Sequence, residues 1–218
     1  MERKRIIAQQ GAIFDLDGTL LDSMGIWKQI DVDFLAKRGF EVPADYQQVI
    51  TPMEAHEIAI YTIRRFHLEE KPEDIMQEWF DMAQEAYSRH LPLKPHVYEY
   101  VKRLYQAGKK LAIATSSDSC LVMPALERTG LLPMLDTVVT VKEVGRSKGF
   151  PDVYEKAAAN LGLLPRECAV YEDIIEGIRG ARAGGFPTVG VYDALYTGSH
   201  QEMKEEADLY IRSFQELL

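Results

Sequence analysis

The hydrophobic pattern divides the chain into three parts. The first holds one short apolar run, Ala12-Ile13-Phe14, with few turn signals, which predicts a short buried strand. The second, roughly residues 25 to 90, carries only helical spacing. Trp27, Ile30, Phe34 and Leu35 recur before Gly39 and Pro43, which stop the first helix. Ala55, Ile58, Ala59, Thr62, Ile63 and Phe66 follow the i, i+3, i+4, i+7 rule. Pro72-Glu73-Asp74 opens a further helix with Ile75, Trp79, Met82, Ala83 and Ala86 on one face. No strand signal interrupts this block, so it reads as a small helical bundle.

From Leu93 onward short apolar runs alternate with helical segments. Strands are predicted at 111–114, 137–141, 169–171 and 188–191, with a short one at 209–211. Helices are predicted near 96–107, up to about 129, at 151–161 and at 174–183. Strands alternating with helices of this length predict right-handed crossovers and a doubly wound parallel sheet covered on both faces. The expected organisation is an α/β core, residues 1–22 and 91–218, with a helical insertion at 23–90. The insertion follows the first strand, and ligands in open parallel sheets bind beyond the carboxyl ends of the strands. A helical module there is expected to act as a cap over the site.

Composition narrows the function classes. The chain has 218 residues, 46% hydrophobic and 27% charged, with a formal net charge of −9. That balance argues against a broad nucleic-acid or anionic-membrane surface. No apolar run approaches the ~18 residues of a membrane span. The basic trio Arg3-Lys4-Arg5 is followed by no long apolar region, so the N-terminus is read as a solvated tail rather than a signal peptide. Cys120 and Cys168 are far apart in sequence and are read as two free, buried thiols of a cytoplasmic protein. The five histidines show no ligand spacing.

Chemistry gathers at the predicted strand ends. Strand one runs out into Asp15 and Asp17, two positions apart and so facing alike. Two such anions repel, which raises one pKa unless a cation sits with them. The second strand ends in Thr115-Ser116, the third is followed by Lys148, and the fourth ends in Glu172-Asp173. Each cluster alone has an ordinary reading as a turn, a helix cap or a surface lysine. In a parallel sheet all four clusters are expected at one edge, which then holds four carboxylates, a hydroxyl pair and one lysine.

In this order, Asp15-Leu16-Asp17-Gly18-Thr19, Thr115-Ser116, Lys148 with Pro151-Asp152, and Glu172-Asp173 resemble the four motifs of the haloacid dehalogenase-like superfamily. The insertion after the first motif is similar to its β-phosphoglucomutase-like and phosphatase branch. The resemblance implies a Mg²⁺-dependent phosphatase acting on a small phosphorylated metabolite through an aspartyl-phosphate. Asp15 would be the nucleophile, Asp17 the general acid/base, and Thr19 would orient Asp17. Thr115, the Ser116 amide and Lys148 would hold the phosphate. Asp15, Asp173 and the Asp17 carbonyl would hold the metal, with Glu172 either a further ligand or an orienter. Two departures stand out: Gly149 replaces the usual proline after the lysine, and Ile174 replaces a frequent serine. Residues 49–56 lack the glycine and arginine with which the sugar-phosphate mutases grip a second phosphate, which weakens a mutase reading. A phosphate-sensing or partner-binding protein without turnover is the alternative of another class.

Overall fold

The computed structural model describes residues 2–50, 53 and 55–218. Thr51, Pro52 and Glu54, within the segment compared with the mutases, lie outside the described residues. The chain divides into two compact units, Met1–Met24 with Leu91–Leu218, and Gly25–His90.

The first unit is built on a six-stranded, all-parallel sheet in the order β3-β2-β1-β4-β5-β6. The strands are β1 (Gly11–Phe14), β2 (Lys110–Thr115), β3 (Thr137–Thr140), β4 (Cys168–Glu172), β5 (Thr188–Val191) and β6 (Leu209–Ile211). β1 and β4 are buried along their whole length, as expected of strands covered on both faces. Phe14 lies opposite both Ile113 and Tyr171, so the residues after β1, β2 and β4 leave the sheet side by side.

Several elements depart from the sequence expectation. The N-terminal residues form a helix, α1 (Glu2–Ala8), rather than a solvated tail. Ile6 is buried and Arg5 pairs with Asp208 at 3.0 Å, two anchors that a composition argument does not register. β3 stops at Thr140 because that residue begins a capping box: Thr140 N donates to Glu143 Oε1 at 2.9 Å. Cys168 is buried, but Cys120 is exposed. In its helix, Ser119–Arg128, the buried face is Leu121, Val122, Ala125 and Leu126, which leaves position 120 outward.

Among the described residues the elements of the second unit are all helices: α2 (Ile26–Ala36), α3 (Tyr46–Ile50), α4 (Ala55–Phe66) and α5 (Pro72–Arg89). Its core is aromatic, with the Phe34 and Trp79 rings edge to face at 5.4 Å. It also buries the carboxyl of Asp31, whose Oδ2 accepts from Gln47 Nε2 at 2.6 Å. Burial pushes the Asp31 pKa up from 3.8 to about 6, and the Gln47 bond opposes this only in part. An acid with a raised folded pKa binds more protons folded than unfolded, so stability falls as pH rises from about 4 through 6. Thermal melts of Asp31→Asn, which keeps an acceptor for Gln47, should lose this slope and gain roughly 1–2 kcal/mol at pH 7 after allowance for solvent screening. Parallel wild-type and variant profiles would contradict the assignment.

In the first unit the helices that flank the sheet are α6 (Val97–Gln106), α7 (Ser119–Arg128), α8 (Val141–Val144), α9 (Asp152–Leu161), α10 (Ile175–Ala183) and α11 (His200–Glu206). α8 and α11 had no counterpart in the sequence reading. α11 starts at Ser199, whose hydroxyl accepts from Glu202 N at 3.2 Å.

Candidate active site

Asp15 follows β1 directly and is tied to β4 by its backbone, Asp15 N to Tyr171 O at 2.9 Å. Glu172 is the last residue of β4 and Asp173 the next. Adjacent parallel strands thus deliver three carboxyls to one spot. Oxygens from Asp15, Glu172 and Asp173 all lie within 4.8 Å of one another, and all three residues are buried.

Gly18 makes this approach possible. Its φ is +78°, which glycine adopts readily, and a Cβ there would run into the Asp173 carboxylate. Asp17 is near enough to raise the Asp15 pKa, but its carboxyl is bonded by two serines. Its Oδ1 accepts from Ser23 Oγ and its Oδ2 from Ser117 Oγ, both at 2.7 Å. Thr19, expected to orient Asp17, instead donates to Asp173 Oδ1 at 3.3 Å. The tight turn after β1, with Leu20 and Leu21 amides returning to Leu16 O, carries the threonine to the β4 side.

Lys148 sits between α8 and α9 and is 5% exposed. Its Nζ donates to Asp15 Oδ1 and, at 2.7 Å, to Glu172 Oε1. Gly180 on α10 permits this, because a Cβ there would strike the Lys148 carbonyl. Thr115 closes β2; its Oγ1 accepts from Ser117 N at 3.0 Å. Ser116 is exposed beside it, ahead of α7.

The electrostatics show a shortage of positive charge. Burial raises the Asp15 carboxyl above its usual range despite Lys148. Burial pushes Glu172 up to about 7, with Lys148 opposing and Asp15 adding. Asp173 is raised well above the ordinary value by burial and by both acidic neighbours. Burial alone would lower Lys148, but Asp15 and Glu172 together hold it above its usual value. Among the described residues one ammonium, that of Lys148, is bonded within this group of three carboxyls. Two buried oxygens, Glu172 Oε2 and Asp173 Oδ2, have no hydrogen-bond partner among the described residues. Oxygen-only donors with unsatisfied lone pairs fit a hard divalent cation.

Four side chains that touch or flank the candidate site residues have no counterpart in the sequence analysis. Ser23 and Ser117 hold Asp17, and Tyr154 Oη donates to Glu172 Oε1 at 2.8 Å. Lys94 pairs with buried Asp193 at 2.7 Å and draws the Asp173 pKa down slightly. The lysine's position three residues after Leu91, where the chain returns to this unit, was the available signal for it. For Tyr154 it was the sixth place after Lys148, one turn into the next helix.

Comparison with known proteins identifies the family. Residues 12–191 match the model of the haloacid dehalogenase-like hydrolases. The chain belongs to this family, and so to a class of enzymes. Among similar proteins, Escherichia coli (strain K12) hexitol phosphatase A is 29% identical over 210 residues, covering 95% of this chain and 93% of that protein. Fructose-1-phosphate phosphatase YqaB of the same organism is 26% identical, covering 83% and 95%. A Thermotoga maritima structure named for beta-phosphoglucomutase superimposes with a TM-score of 0.85 at 22% identity, covering 96% of each chain. At that identity the structure speaks to the fold alone.

Proposed function

We propose that the chain is a Mg²⁺-dependent phosphatase that hydrolyses a small phosphorylated metabolite, of the sugar- or polyol-phosphate class, through a phosphoryl group carried on Asp15. The observation that supports this reading best is the buried triad with two orphaned oxygens, set against Lys148 and beside Asp15. The named activities of similar proteins, a hexitol phosphatase and a fructose-1-phosphate phosphatase, support the substrate class.

Asp15, Glu172, Asp173 and the Asp17 carbonyl would hold the cation, which supplies charge neutralisation between the carboxylates and the phosphate dianion. Asp15 attacks phosphorus as the bond to the leaving oxygen breaks. Asp17 gives its proton to that oxygen and then takes one from the water that releases phosphate. Its two serine partners fix the orientation of its carboxyl. Thr115 and the Ser116 amide precede α7, whose N-terminus favours an anion, and they bind the phosphate oxygens together with Lys148. Two free thiols accord with action in the reducing cytoplasm, and no helix among the described residues is long and apolar enough to cross a membrane.

A screen of phosphorylated metabolites for phosphate release, with Mg²⁺ and with EDTA, tests the reading. Release from a sugar or polyol phosphate that EDTA abolishes supports it; no release from any ester contradicts it. Asp17→Asn keeps both serine bonds but carries no transferable proton. It should bind Mg²⁺ as the wild type does and lose ~10²–10⁴-fold in turnover. Unchanged turnover would remove Asp17 from the acid/base role.

A further inference from the structure

Two buried hydroxyls touch the acidic cluster without any part in the chemistry just described. Tyr154, fully buried on α9, donates to Glu172 Oε1 at 2.8 Å. Thr19, fully buried after β1, donates to Asp173 Oδ1 at 3.3 Å. The pattern is the same at both acids: one oxygen is bound by a hydroxyl, and the other is buried with no partner among the described residues.

We propose that Tyr154 and Thr19 are positioning residues for a divalent-cation site, each fixing one oxygen of an acidic side chain so that the other, Glu172 Oε2 or Asp173 Oδ2, is left as a ligand. The inference rests on the metal reading above and deepens it. At Glu172, Lys148 and Tyr154 bond the same oxygen, at 2.7 and 2.8 Å. Turning the carboxyl away from this orientation would break both bonds. Lys148 alone is a weaker constraint, because an ammonium on a flexible stem can follow the carboxyl as it turns. A phenol on a packed ring cannot; the Tyr154 ring is set edge to face against Phe186, with centroids 6.2 Å apart. Outer hydroxyls of this kind orient ligands, and losing one typically lowers metal affinity 10–100-fold.

Tyr154→Phe keeps the ring and its packing and removes only the donor. Thr19→Val does the same at Asp173. Titration calorimetry of metal-free protein with Mg²⁺, with no substrate present, reads the effect without reference to turnover. Each variant should bind Mg²⁺ about tenfold more weakly than the wild type, and saturating Mg²⁺ should restore kcat. If Tyr154→Phe does not fold, Thr19→Val carries the comparison. Wild-type affinity in the folded variants overturns the positioning role. A wild type that binds no Mg²⁺ overturns the metal reading itself, and that result is distinct from the first.

Discussion

Asp15→Asn abolishes turnover, by at least ~10⁴-fold, on the scale seen when a nucleophile that acts in concert with other groups is removed. The same substitution leaves the metal-free fold as stable as the wild type or more so. Burial and the neighbouring Asp17 both penalise the ionised Asp15 carboxyl, and its raised pKa says that this penalty exceeds what Lys148 returns. An amide of the same shape removes one anion from a cluster with too many. Lys148 keeps Glu172 as a partner. Activity and stability thus move in opposite directions, as at sites where function holds a strained arrangement in place. Phosphate-release assays paired with thermal melts in EDTA check both halves. A variant that loses activity together with several degrees of stability would point to a structural role for Asp15 instead.

Lys148→Met has the second large effect, and it depends on pH. The substitution preserves length and takes away the ammonium that bonds Asp15 and Glu172. Breaking one side of a buried ion pair typically costs ~3–5 kcal/mol because a charge is left uncompensated. Here the carboxyls can escape that cost by taking up protons, so the sign follows from linkage. Their folded pKa values are already raised, Glu172 to about 7, and rise further without Lys148. Folded protein then holds more protons than unfolded protein above the usual carboxylate range, and stability falls as pH rises through it. Urea unfolding in EDTA should show a small loss near pH 4.5 and a loss of about 3 kcal/mol or more near pH 8. An equal loss at both values would mean that Lys148 acts through packing rather than charge.

Much of the fold was legible because its signals are local. Apolar runs such as Ala12-Ile13-Phe14 are too short for helices and read as buried strands, and their alternation with helices predicts a parallel sheet. The strand-end clusters were legible for the same reason: parallel strands carry every carboxyl end to one edge. The structure brings Asp15, Lys148, Glu172 and Asp173 into contact through hydrogen bonds and short approaches.

The partners of those residues were not legible, because most lie far apart along the chain and the near one, Ser23, depends on the path of the turn after Leu16. Thr19 lies 154 positions from Asp173, and Ser117 lies 100 from Asp17. Nothing in the spacing of Asp15-Leu16-Asp17-Gly18-Thr19 says that the turn after Leu16 sends the threonine to one acid and leaves the other to two serines. The helix at Glu2–Ala8 was missed because one buried Ile6 and one ion pair hold an otherwise polar segment. Cys120 was misread because cysteine's general tendency to be buried was given more weight than its place off the apolar face of α7.

The central claim is that the phosphoryl group passes through Asp15. Mass spectrometry of the peptide containing Asp15, after mixing enzyme, Mg²⁺ and a turned-over substrate and quenching in acid, tests it most directly. The account predicts a mass increase of one phosphoryl group on that peptide, absent in Asp15→Asn and removed by mild base. Steady turnover with no phosphorylated peptide, under conditions where an Asp17→Asn variant also fails to accumulate one, would contradict it.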